Sequence, residues 1–288
     1  MPAATTHNEF AKEVLLLLGE DTDKITSTRL FYLGAQGPDL FFFSQGGILP
    51  GSLKAIGSKM HNTKIKEVME FFLDYAKDND YLMSYVYGYF CHYSLDSCAH
   101  PLINYSSKYR ANKEESLIEN HFRIEAYIDR LMLENQGKPL ETYDVHYQLT
   151  LEKDEINLLA IMLQCMLETV YEEKIELSRI IQAINQTPFI LSCLKPNFKF
   201  KMTLFETIEN LAKSPHLVST LLLYNDMSTY NDVLNEKHMT YFNPYEPALK
   251  YTTSFYDCYD NALKNAVSLI KEEAYNHPFE LNFEGAHY

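Results

Sequence analysis

Apolar residues recur at helical spacing along most of the chain, and no strand-like alternation repeats. A first helix is expected over residues 9–18, where Thr6 or Asn8 could cap it. In "HNTKIKEVMEFFLDYAKD" Ile65, Val68, Met69 and Phe72 form one stripe, behind Asn62 or Thr63 as cap, with His61 at the start of that helix. Residues 81–100 read as a largely buried helix, which Pro101 should end, because a proline disfavours helical backbone in the residue before it. Further helices are expected over 115–134, 154–171, 176–185, 204–212 and 254–273. Loops are marked at 34–39, 44–52, 135–144 and 241–247 by clusters of Gly, Pro, Asn and Asp. The pattern predicts an all-α protein in one domain, residues 1–288, with its weakest signal between 187 and 250.

Composition changes this picture little. The 14% of aromatic residues comes from 22 Tyr and 17 Phe with no Trp. The net charge of −14 is concentrated between 112 and 173, where 14 acids face 5 bases. A field of that sign opposes docking on phosphate backbones, so no stable nucleic-acid complex is expected. It does not exclude a phosphate ester held at a metal ion, which brings its own positive charge. No stretch approaches the length of a membrane span, and the N-terminus lacks the basic and apolar regions of a signal peptide. Five irregularly spaced cysteines point to reduced thiols and a cytoplasmic setting.

The chemistry gathers in "GYFCHYSLDSCAHP", residues 88–101. Four residues advance a helix by about 40° beyond a full turn, so His92, Asp96 and His100 point the same way along two turns. On a buried aromatic helix such residues need partners, which a metal or ordinary core hydrogen bonds could supply. Other ligand-type residues crowd the first 125 positions: His7, Asp39 at the end of "GAQGPD", His61, and the i, i+4 pair His121 and Glu125. His146, His216, His238, His277 and His287 lack an acid or histidine four residues away and read as ordinary histidines. Cys91 and Cys98 point away from His92 on the helix and read as buried thiols.

The ordered set His7, Asp39, His61, His92-x3-Asp96-x3-His100-Pro101, His121-x3-Glu125 resembles the zinc-dependent phospholipase C family, whose helical fold is shared with single-strand-specific zinc nucleases. The resemblance implies a cluster of two or three zinc ions in a cleft, with the ligands in 1–125 and residues 126–288 completing the helical fold. It places one ion on His100, His121 and Glu125, a second on Asp39, His61, His92 and Asp96, and a third on His7 and Asp96. The implied activity is phosphoric-ester hydrolysis on a phospholipid or small diester, in which paired zinc ions activate water and polarise the phosphoryl group. Asp39 is the expected general base, although it could serve purely as a ligand.

The chain also departs from that family. It has no Trp to supply an N-terminal zinc ligand, so the third ion would be labile or completed by the chain's own terminus, such as the Pro2 amine. Leu40 and Ser58 stand where aromatic residues of a choline cage are expected, so such a cage is not supported. Phe41, Phe42 and Phe43 are expected to pack on the core, as are Tyr85, Tyr87, Tyr89 and Tyr93. Two alternatives stand beside the leading reading. One is a nuclease or nucleotidase of the same superfamily, and the other a metal-stabilised scaffold without turnover.

Overall fold

Ten α-helices, four short 3-10 helices and one two-stranded sheet account for the regular structure among the described residues of this computed structural model. These residues are 4–47, 51–111, 115–139, 144–194, 232–271 and 273–288, with isolated positions between 203 and 219. In chain order the helices are α1 (Ala4–Leu18), α2 (Thr28–Gly34), α3 (Lys54–Asn62), α4 (Ile65–Ala76), α5 (Asp80–Tyr109) and α6 (Leu117–Asn135). They continue as α7 (His146–Leu149), α8 (Lys153–Tyr171) and α9 (Leu177–Cys193), then strands β1 (Tyr241–Asn243) and β2 (Glu246–Tyr251), and finally α10 (Phe255–Lys271). The all-α class holds.

Helix α5 organises the rest. Of its 30 residues 22 are buried, so it runs through the interior rather than lying on one face. Helices α2 and α10 pack against it most extensively, and α1, α4 and α6 also touch it. Its contact with α2 explains Gly88: a Cβ there would lie 2.0 Å from the Phe31 carbonyl oxygen, so the two backbones meet without a side chain between them. One apolar cluster runs from Ala4 in α1 through α5 and α10 to Phe283 near the C-terminus.

Pro101 does not end the helix as expected, because α5 continues to Tyr109. Proline in a helix interior costs about 3 kcal/mol. The turns beyond it bury Leu102 and Ile103, at about 1.5–3 kcal/mol for each such side chain, which offsets that cost. Similarly α9 passes through Pro188 to Cys193, eight residues beyond the predicted end.

Other boundaries also differ. His61 closes α3 rather than opening the next helix, and α4 starts after Lys64 in the left-handed region, with no side-chain cap. Helix α1 already includes Thr6 and Asn8, and its first N–H groups are satisfied from afar by a carboxylate on α6. The loop expected over 241–247 contains β1 and the start of β2, an antiparallel pair with Tyr241 opposite Tyr251. Of the helix expected over 204–212, only isolated positions are described, and these are helical.

Candidate metal centre

Five local elements deliver the eight candidate ligands. His92, Asp96 and His100 ride on α5, whose start is capped by Asn79 accepting from the Leu82 N–H at 3.1 Å. His121 and Glu125 lie on α6, which opens with a capping box formed by Ser116 and Glu119. Asp39 sits in the 3-10 turn Gly37–Phe41, where Pro38 fixes the first residues. His61 is in the last turn of α3 and His7 in the first turns of α1.

The fold brings these eight residues together as three groups whose donor atoms lie within 4.8 Å of one another. The groups are His7, His92 and Asp96; Asp39, His61 and His92; and His100, His121 and Glu125. Within them, His7 Nε2 stands 3.2 Å from one Asp96 oxygen, and His92 Nε2 stands 3.1 Å from the other. His61 Nε2 lies 3.0 Å from Asp39, and His121 Nε2 lies 2.8 Å from Glu125. Asp96 also approaches His100 Nδ1 at 3.9 Å, so one carboxylate faces three histidines. The grouping adds a role the sequence did not suggest: His92 belongs to two groups and stacks on His7 with ring centroids 4.2 Å apart.

Seven of the eight candidate ligands are at most 4% exposed. The exception is His121, with 16% of its side chain exposed. Both nitrogens of His7, the Nε2 atoms of His61 and His92, Oδ1 of Asp39 and both oxygens of Asp96 have no hydrogen-bond partner among the described residues. Buried polar atoms left in this way cost about 1–3 kcal/mol each, so the arrangement calls for a cation.

The second ring nitrogens support the same fit. Nδ1–H of His92 donates to the Ala35 carbonyl (3.1 Å), that of His61 to Gly57 (2.8 Å) and that of His100 to Phe283 (2.7 Å). Each bond selects the tautomer whose Nε2 lone pair is left to face a metal. Burial, reinforced by His92, pushes His7 down to about 4, and burial holds His100 and His121 below the ordinary range. These imidazoles are therefore neutral at pH 7, the form that ligates. Burial drives Glu125 well above the usual carboxylate range, a penalty that a bound cation would remove. Asp39 is also opposed by burial, but the facing His92 and His61 hold it below its ordinary value. The residues fit zinc.

The remaining sequence expectations also have places. Cys91 is buried and Cys98 half-buried, and neither joins a metal group. Burial pushes the Cys98 thiol up to about 12. Phe41 and Phe43 belong to the core, while the Phe42 ring stands 5.2 Å from that of His61. Tyr85, Tyr89 and Tyr93 pack in the interior, and Tyr87 is partly buried against it. Of the other histidines, His238 pairs with Asp257 and His287 with Glu246. His216 and the chain terminus with Pro2 lie outside the described residues.

Two contributors escaped the sequence. Phe283, far down the chain, carries the carbonyl that orients His100, and a backbone acceptor leaves no mark in a sequence. Asp129 accepts from the N–H groups of Thr5 and Thr6 and from the Thr6 hydroxyl, which fixes the start of α1 just ahead of His7. Its signal was available, since Asp129 continues the i, i+4 row of His121 and Glu125.

A sequence model of the family described as zinc dependent phospholipase C matches residues 6–176. No curated protein and no solved structure matches the chain. The match takes in all eight ligand-type residues and more than half of the 288, and the donor groups are of a kind that could hold metal ions. The chain therefore belongs to the zinc-dependent phospholipase C family.

Proposed function

We propose that this protein is a zinc-dependent phosphodiesterase that cleaves a phospholipid or small diester. The observation that carries the reading is the set of three donor groups, two of which share His92, with Asp96 3.9 Å from His100 of the third. His100, His121 and Glu125 would hold one ion; Asp39, His61 and His92 a second; and His7, His92 and Asp96 would surround a further position. Bound zinc would supply Lewis-acid polarisation of the phosphoryl oxygen and lower the pKa of the attacking water. Asp39 would act as general base: despite burial, the facing His92 and His61 hold its carboxylate below its ordinary value, so it is ionised and able to take a proton from the attacking water. Asp96, facing three histidines, keeps the ligand set negatively charged enough to retain divalent cations. His121, the one partly exposed member of the set, would be the ligand that substrate meets first. The reading includes a cytoplasmic setting, which five unbridged cysteines suit.

The near-complete burial of the other seven ligands favours a second reading, a closed metal site that holds helices together without turnover. One experiment separates the two. Zinc-loaded protein is offered phosphatidylcholine, a chromogenic phosphodiester, a phosphomonoester and single-stranded DNA, with Asp39→Asn as control. Diester hydrolysis that chelation removes, and that Asp39→Asn lowers about 10²–10⁴-fold, supports the hydrolase. Silence on every substrate at full zinc occupancy defeats it in favour of the scaffold. Cleavage of DNA alone would replace the diesterase with a nuclease.

A further inference from the structure

We propose that the C-terminal segment 281–287 is a working part of the metal centre, a clamp that positions His61 and His100. The inference rests on the reading of these histidines as zinc ligands. The segment lies beyond the residues 6–176 matched to the family.

Phe283 makes two backbone bonds, one to each of two ligand-bearing helices. Its carbonyl accepts from His100 Nδ1–H on α5 at 2.7 Å, and its N–H donates to the His61 carbonyl at the end of α3 at 3.1 Å. Its ring is fully buried, with its centroid 5.2 Å from both the His61 and the His92 rings. One residue therefore fixes the tautomer of His100, ties down the helix end that carries His61, and covers the His61 and His92 imidazoles. Of the ligand-to-carbonyl bonds described for His61, His92 and His100, that of His100 reaches across the chain to its other end.

The segment is built to hold that residue still. Asn282 Oδ1 accepts from the N–H groups of Glu284 (3.0 Å) and Ala286 (3.1 Å), which closes a tight turn. From outside it, Asn243 Nδ2 donates to the carbonyls of Glu284 (3.0 Å) and Gly285 (2.9 Å), and Asn104 Nδ2 donates to the Glu284 carboxylate (2.6 Å). Gly285 has φ +65°, and a Cβ there would lie 2.4 Å from the Ser97 carbonyl oxygen and 2.6 Å from Pro101 Cγ. Pro101 has no N–H to give the Ser97 carbonyl four residues back, so the proline that follows His100 creates the bare surface on which the segment rests. A histidine ligand whose other nitrogen loses its acceptor typically binds metal about 10–100-fold more weakly.

The test uses full-length Gly285→Ala and Asn243→Ala, neither of which alters a ligand side chain. His238→Ala, an exposed histidine outside the segment that pairs with Asp257, is the control. Three quantities are measured: zinc affinity by chelator competition, the His100 tautomer in metal-free protein by ¹⁵N NMR, and the apo unfolding midpoint. The expected result is one zinc bound about 10–100-fold more weakly in both variants, with His100 shifting from the Nδ1–H form to a mixture, and no change in the control. Should Gly285→Ala not fold, Asn243→Ala carries the comparison. Unchanged zinc affinity and tautomer, with only a lower unfolding midpoint, would overturn the clamp and leave a structural strap. A wild type that binds no zinc would overturn both the clamp and the hydrolase. A wild type that binds zinc as expected but hydrolyses nothing would defeat the proposed function alone.

Discussion

Alanine at Gly37 should cripple the metal centre through a single methyl group. Gly37 has φ +54°, a backbone conformation that costs an alanine about 1–2 kcal/mol. Its Cβ would lie 2.3 Å from Cδ2, 2.4 Å from Cγ and 2.7 Å from Nε2 of His92. Carbon atoms in contact rest about 3.5–4.0 Å apart, so the ring would have to retreat by on the order of 1.5 Å. That ring is stacked on His7, lies beside Phe283 and is tied to the Ala35 carbonyl, so retreat breaks contacts on several sides. Overpacking of this kind adds about 1–3 kcal/mol, for a total of about 2–5 kcal/mol. Because His92 belongs to two donor groups, zinc should bind there at least about 10-fold more weakly. The assays are chelator competition for zinc and denaturant unfolding of the apo and zinc-loaded forms. Gly137→Ala is the comparison: it has φ +64° with nothing within 4 Å of its Cβ, so it should lose only the backbone cost of about 1–2 kcal/mol and bind zinc as wild type does. If Gly37→Ala bound zinc with wild-type affinity, His92 would not be the shared ligand described above.

Three further outcomes are expected. Asp129→Ala removes the acceptor for the Thr5 and Thr6 N–H groups; it should cost about 1–3 kcal/mol in denaturant unfolding and weaken zinc binding at His7. Removal of zinc by a chelator should lower the unfolding midpoint, and adding zinc back should restore it, because only the folded chain presents the donor groups; an identical midpoint in both forms would argue against a bound metal. In apo protein, His7 titrates at about 4 when folded and near 6.5 when unfolded, so the unfolded chain takes up its proton first as pH falls. The stability contributed by His7 is present above pH 6.5 and is lost towards pH 4. The unfolding free energy of wild type relative to His7→Gln should therefore fall by about 3 kcal/mol between pH 7 and pH 4; a constant difference would show that His7 is not held neutral.

The ligand types and their order are legible in the chain alone, because an i, i+4 spacing on a helix places side chains on one face whatever surrounds it. This applies to His92, Asp96 and His100 and to His121 and Glu125. The helices are legible for the same reason, wherever apolar stripes run long enough. Boundaries are less so. Pro101 should end a helix by local preference alone, yet burial of the turns beyond it outweighs that preference, and burial is a property of the whole fold. The hairpin Tyr241–Tyr251 carries no alternating pattern, so its strands could not be read from polarity.

The sequence by itself determined which side chains could bind a metal, since donor chemistry belongs to residue types. Tertiary structure alone decided how the donors group, with His92 shared between two sets, because that depends on where α1, α3 and the turn at Asp39 meet α5. It alone brought the Phe283 carbonyl to His100 from the far end of the chain. Every residue carries the same backbone acceptor, so no sequence pattern marks the one that the fold will place against a ligand.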